Sequence, residues 1–110
     1  MRTEEHVREL VHGRWKAQAL TAAVRLDLAG ALGDGALPVP ELAARVESDE
    51  DALRRLLRLM VALGVFAGAG EDVYRNDEAS QLLRADHPDT LRRYALNAIS
   101  TRYASGSRIE

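Results

Sequence analysis

Three histidines, His6, His12 and His87, are the residues of this 110-residue chain best suited to bind a transition metal. His6 and His12 lie six positions apart, which at ~100° per residue turns them to different sides of a helix. Helical metal pairs need a spacing of four or close to it. With no cysteine to complete a site, no metal centre is expected, and His87 before Pro88 is expected to shape a turn. Gly68-Ala69-Gly70-Glu71-Asp72 superficially resembles a phosphate-binding loop. Such a loop must lead from a strand into a helix whose N-terminus faces the phosphates. Val73-Tyr74-Arg75 continues as a strand pattern, so a hairpin tip is expected instead. There is no Gly-x-Ser-x-Gly elbow and no histidine–acid pair tied to a nucleophile. The acids Glu4-Glu5, Glu47 with Asp49-Glu50-Asp51, and Glu71-Asp72 fall at helix starts or turns, where carboxylates favour the helix dipole or solvent. No catalytic, cofactor-binding or metal-ligating residue is assigned to the chain.

The elements that would position such groups are clearest in Ser48–Phe66, SDEDALRRLLRLMVALGVF. Ser48 and Asp51 have the spacing of a capping box. Leu53, Leu56, Leu57, Met60 and Leu63 recur at threes and fours and share one helix face, leaving Arg54, Arg55 and Arg58 largely off it. Gly64 stands where a left-handed C-cap is wanted, and Val65-Phe66 opens an extended piece. Upstream, Pro38-Val39-Pro40 leads into a short helix over 41–46, with Pro40 suited to its first turn. Downstream, residues 65–67 and 73–75 are expected to pair as a hairpin with Gly68-Ala69-Gly70 at its tip. Helix, turn, helix and hairpin in this order predict a mainly α fold, a winged helix-turn-helix over about residues 39–76. Asn76 or Asp77 would cap a short helix ending in Gln81-Leu82-Leu83-Arg84. Asp86 and Asp89 are spaced to cap a last helix with Leu91, Tyr94, Ala95, Ala98 and Ile99 on its apolar face, so that C-terminal helices occupy about 77–104.

A winged helix that reads DNA sets the N-terminal end of its recognition helix against bases and phosphates. Here that end is Ser48-Asp49-Glu50-Asp51, and the hairpin carries Glu71 and Asp72 where lysine or arginine would be wanted. Residues 39–76 hold five arginines against seven acids, net −2, so the counterion release that drives DNA binding is not provided for. Arg54, Arg55 and Arg58 still form a local basic stripe, which leaves a DNA-binding transcription regulator as the alternative reading. The whole chain, also at net −2, gives no long-range attraction for nucleic acid or an anionic membrane. No apolar run nears the ~18 residues that span a bilayer, and the charged MRTEEHVREL is no signal peptide. Absence of cysteine fits a reducing compartment. A single soluble, cytoplasmic domain is expected.

Residues 4–28 read as a long helix, with Gly13 the place for a bend. Val7, Leu10, Val11, Trp15, Leu20 and Val24 are its anchors. Within Trp15–Val24 seven of ten residues are apolar and point round most of the circumference. Such a helix needs cover on more than one side, which a domain this small hardly supplies. Dimer helices are therefore expected over about residues 1–30. Val11, Trp15, Ala19, Leu20 and Ala23 are the candidate dimer-interface residues, the alanines allowing close approach of a second backbone.

Three segments then resemble a known family: His12-Gly13-Arg14-Trp15 through Gln18 to Leu28; Leu53–Leu59 with Ala62-Leu63-Gly64-Val65-Phe66; and Tyr74–Pro88. Together they resemble the N-terminal winged-helix dimerisation domain of bacterial S-adenosylmethionine-dependent small-molecule O-methyltransferases of the anthracycline and polyketide type. The resemblance implies an intertwined homodimer that closes over the pocket for a small aromatic or polyketide substrate in antibiotic biosynthesis, with Trp15 a possible substrate contact. It also implies S-adenosylmethionine for the parent enzyme. The family's Rossmann-like catalytic domain, with its acidic-glycine loop, has no counterpart in these 110 residues, so no cofactor is expected to bind this chain. A stand-alone module that pairs with a separate catalytic methyltransferase chain is a further reading.

Overall fold

The computed structural model describes residues 3–97, and the side chains of all of these except 9–12. The first helix, α1 (Thr3–Leu26), runs uninterrupted through Gly13. It stops because Asp27 turns into the left-handed region at φ 56°. The Asp27 carboxylate then accepts from Gly30 N at 3.3 Å and opens a second short helix, α2 (Leu28–Leu32). A side chain at position 30 would collide with that carboxylate, which is why glycine stands there. The long helix expected over 4–28 is thus two helices hinged at Asp27.

A three-residue strand, β1 (Ala36–Pro38), precedes α3 (Val39–Val46). Glu47 ends α3 in the left-handed conformation at φ 54°, and Ser48 N donates back to Ala43 O at 3.0 Å. That is the six-to-one bond of a Schellman motif, made with glutamate in the place usually held by glycine. Ser48 is thereby committed to the end of α3. The cap of α4 (Glu50–Ala62) falls instead to Asp49, whose carboxylate accepts from Ala52 N at 2.8 Å, which corrects the Ser48–Asp51 box. At the far end Gly64 takes φ 84°, as expected, and Val65 N donates to Met60 O at 2.9 Å.

Phe66 is buried with φ 72°, a conformation costly for an aromatic residue. It therefore turns the chain instead of starting the strand, and β2 is Ala67–Gly70. The glycine run lies in β2 itself; the tip moves to Glu71-Asp72, before β3 (Val73–Arg75). The expected two-stranded hairpin is part of a three-stranded antiparallel sheet in the order β1-β3-β2, with Leu37 opposite Tyr74 and Gly68 opposite Tyr74 on the other side. The edge strand β1 tolerates Pro38 because an outer strand can spare one donor.

Val24, Leu28, Val39, Leu42, Leu53, Leu57 and Met60 form the fully buried centre, which joins α1, α2, α3 and α4. Leu56 and Leu63 pack partly buried at its edge. Asp77 caps α5 (Glu78–Gln81) in a reciprocal box with Ser80. Asn76 is not the cap: its buried amide donates to Ala29 O and Gly33 O, both at 2.9 Å. Residues 92–97 are helical, and Thr90 Oγ1 accepts from Arg92 N at 3.1 Å. Asp86 and Asp89 do not cap that helix: it begins only at 92, Thr90 takes the first-turn N–H, and the Asp86 carboxylate is held by Arg84. Ala95 packs partly buried on the core while Leu91 and Tyr94 are exposed. Ala98, Ile99 and the remainder of the expected 77–104 helices lie outside the described residues.

Replacing Asn76 removes the donor to Gly33 O and the second donor to Ala29 O, which keeps its bond from Gly33 N at 3.1 Å. Asn76→Ala should cost roughly 1–2 kcal/mol in urea unfolding. Asn76→Asp should cost more at neutral pH, since it sets a charge-bearing acceptor against two acceptors.

Candidate functional site

The candidate interface residues of α1 occupy two different environments. Ala19 and Ala23 are 6% and 2% exposed, covered by the core of their own chain. Leu20 is partly buried against that core. Trp15, in contrast, is 57% exposed, and Val7, two turns before it, is 52% exposed. The Val11 side chain lies outside the described residues. Of the predicted set, Ala19 and Ala23 are covered from within their own chain, Leu20 is partly covered and Trp15 is open.

Beside Trp15 is a groove of about 320 Å³ lined by Trp15 and Lys16 from α1 and Leu59 and Leu63 from α4. Leu59 and Leu63 are one turn apart on the edge of the α4 apolar stripe, so both can face α1. Sequence reasoning named Trp15 but not Lys16 or Leu59. Nothing local marks the two helices as neighbours, so the groove had no one-dimensional signal.

The second feature is electrostatic. Arg54 Nε and Nη2 donate to Asp72 Oδ1 and Oδ2, both at 2.8 Å, joining α4 to the hairpin tip. Its Nη1 and Nη2 also donate to Asp51 at 2.9 Å and Glu50 at 3.0 Å. The hydrogen bonds to Asp72 and Glu50 raise the guanidinium's affinity for its proton. The Arg54 hydrogen bonds hold the Asp72 carboxyl below the usual carboxylate range against its desolvation, with the Arg54 and Arg58 charges assisting. The basic stripe Arg54-Arg55-Arg58 therefore loses its first member to three carboxylates. A similar clasp joins the residues after α5 to the turn before β1: Arg84 donates to Asp34 at 2.7 Å and to both oxygens of Asp86, which lowers the Asp86 pKa.

Among the described residues no three His, Cys, Asp or Glu groups gather as metal ligands. His87 Nδ1 accepts from Asp89 N at 2.9 Å and shapes its turn. The glycine run that might have cradled a nucleotide lies in β2 and leads into a turn, not a helix. No described helix is long and apolar enough to cross a membrane.

A helix–turn–helix followed by an antiparallel hairpin, with a long helix in front, defines a mainly helical domain. The O-methyltransferase dimerisation domain family matches residues 8–86. The phenazine-1-carboxylate N-methyltransferase of Pseudomonas aeruginosa is 41% identical over 76 residues, covering 69% of this chain and 23% of that protein. The crystal structure of LaPhzM superposes with a TM-score of 0.87 at 26% identity, over 99% of this chain and 33% of that one. The SAH-bound form of CalO1, a methyltransferase of calicheamicin biosynthesis, gives 0.73 at 32% identity, over 87% and 29% of the two chains. This chain belongs to the O-methyltransferase dimerisation domain family, and it spans about a quarter of the length of the curated relatives it matches.

Asp72→Asn keeps a residue that tolerates the left-handed backbone at φ 58° but removes the charge. It should speed amide exchange across 70–73 and lower the unfolding midpoint at neutral pH. A carboxylate with a lowered folded pKa stabilises above its unfolded pKa of about 3.9, and that stability is lost as pH falls through the folded value. The difference between the two proteins should therefore close as the pH is taken from about 5 toward about 3; a constant difference would remove Arg54–Asp72 as its source.

Proposed function

We propose that this chain is the dimerisation and substrate-capping part of an S-adenosylmethionine-dependent methyltransferase acting on a small aromatic or polyketide metabolite. The observation that carries the reading is the exposure of Val7 and Trp15 on α1, with Trp15 beside the groove; they are two of the five large apolar side chains left open among the described residues. Family membership and the SAH-bound relative support the methyltransferase part, since SAH is what the methyl donor becomes after transfer. The calicheamicin relative supports a role in antibiotic-type biosynthesis. Trp15, at the groove, is the proposed substrate contact, its indole offering a flat apolar face. The complete enzyme would work as a cytoplasmic homodimer, arranged as a winged helix with intertwined N-terminal helices. The same surface would equally receive a separate catalytic chain.

The transcription-regulator reading is opposed by the site itself. Its would-be recognition helix begins with three carboxylates, and two of them, with Asp72, engage Arg54. Phosphates brought to that end would meet acids whose nearest arginine is already bound.

Sedimentation equilibrium of the chain should show a concentration-dependent dimer. Trp15→Glu and Val7→Glu should each weaken it by at least about tenfold, because each sets a carboxylate in an apolar contact. Both positions are exposed, so the circular dichroism should not change. Charges at Ala19 or Ala23 would instead report on folding. A chain that stays monomeric, or binds duplex DNA with a log affinity falling steeply against log salt, would overturn the proposal.

A further inference from the structure

The 17 acids of the chain are unevenly placed: none falls between Glu9 and Asp27 or between Asp51 and Glu71. Those acid-free stretches hold the greater part of α1 and of α4, the helices that wall the groove at Trp15. They carry Arg14, Lys16 and Arg25 on one side and Arg54, Arg55 and Arg58 on the other. The groove therefore sits in a positive field although the chain as a whole is at net −2. Arg54 is committed to Asp72, Asp51 and Glu50. Lys16, the one charged residue in the lining, is exposed and makes no ion pair among the described residues. The rest of the lining is the Trp15 indole with Leu59 and Leu63. A volume of about 320 Å³ is at the small end of ligand pockets. A planar ring is the shape that can lie on the indole and touch both leucines at little rotamer cost. The Lys16 stem can follow the apolar wall while its ammonium stays in water at the rim.

We propose that the groove selects a planar aromatic carboxylate, with its ring on Trp15, Leu59 and Leu63 and its carboxylate at the Lys16 ammonium. The inference rests on the Trp15 substrate contact given above and adds the charge of the substrate and the residue that reads it. Lys16 is a specificity-determining residue in this arrangement and takes no part in a reaction. Its ammonium is solvated, so pairing with a carboxylate adds little to total affinity. The pair acts on the difference between ligands: a neutral analogue of the same shape keeps the ring contacts and forfeits the charge. A point charge on a flexible stem also accepts a carboxylate at more than one ring position, which the fixed fork of an arginine would restrict.

Trp15 is the one tryptophan of the chain, so its indole N–H gives a single nuclear magnetic resonance signal that reports on the groove. Titration with 2-naphthoate should move that signal with a dissociation constant in the millimolar range. The neutral 2-naphthamide, of the same shape, should bind about fivefold more weakly at low salt. That preference should shrink to about twofold or less at about 0.5 M salt. Lys16→Met keeps a stem of similar length and should bind the two probes alike, whereas Lys16→Arg should keep the preference. Both variants should match the parent in circular dichroism, since Lys16 is exposed. Equal affinity of the parent for the two probes, or a preference that survives Lys16→Met, would overturn the charge selection and leave Trp15 standing as the contact. A Trp15 signal that neither probe moves, in a chain that still dimerises, would instead overturn the Trp15 contact and the inference with it.

Discussion

The carbonyls of the short helix α2 and of the ends of its neighbours collect side-chain donors from three other parts of the chain. These come in addition to the backbone bonds that Asp27 N gives Val24 O and Gly33 N gives Ala29 O, both at 3.1 Å. The last carbonyls of any helix lack partners within it and cost free energy if buried bare. Here Arg92 Nη1 donates to Val24 O at 2.7 Å, Arg45 Nη1 to Ala31 O at 3.2 Å, and Asn76 Nδ2 to both Ala29 O and Gly33 O. The donors come from α3, from the residue after β3, and from the C-terminal helical segment. One turn of backbone polarity thus draws together three parts of the chain that the hydrophobic core alone would leave free to slide. Asn76 accomplishes this with only half of its amide: its Oδ1 is buried without a partner among the described residues. That is consistent with a position selected for its two donors.

Elements whose signal is local were legible. The stripe of α4, the left-handed Gly64 and Pro40 at the start of α3 follow from spacing and backbone preference, and the structure contains each of them; of the two candidate caps, Asn76 and Asp77, it uses Asp77. Elements decided by competition between neighbours were not. Ser48 and Asp49 are both good caps, but the Schellman bond at the end of α3 takes the Ser48 backbone, and only then does Asp49 become the residue before α4. Phe66 reads as strand, yet burying its ring over the core requires a positive φ, so packing overrides propensity. Strand β1 has three residues and one proline; it is a strand only because β3 lies beside it.

The candidate site divides in the same way. An excess of apolar residues on α1 was visible as a surplus, but a surplus does not say which side is covered from within. Asp27 decides that. By breaking the helix there and letting α2 turn back, it packs Ala19, Ala23 and Val24 into the core and leaves Trp15 at the boundary. The acids at 49–51 and 71–72 are visible in the sequence. What sequence could not supply was their partner: Arg54 and Asp72 are 18 residues apart, and only the hairpin brings them to 2.8 Å.

That ion pair also explains how so small a sheet can be held to one face of the helices. The hairpin buries few large side chains, with three glycine or alanine residues in a row at 68–70 exposed. A strand pair of that composition has little apolar area to fix its angle. Two directed contacts do so instead: the two-pronged grip of Arg54 on Asp72, and the Val39 N–H bond to Asp72 O at 2.9 Å. Side chain and main chain of one residue thus tie the tip to the starts of both α3 and α4. The cost is that the tip's acids and the helix's arginine neutralise one another, so the surface a nucleic-acid reader would need charged is occupied in holding the fold. The large apolar side chains left exposed among the described residues are Val7 and Trp15 on α1, with Val61, Leu91 and Tyr94.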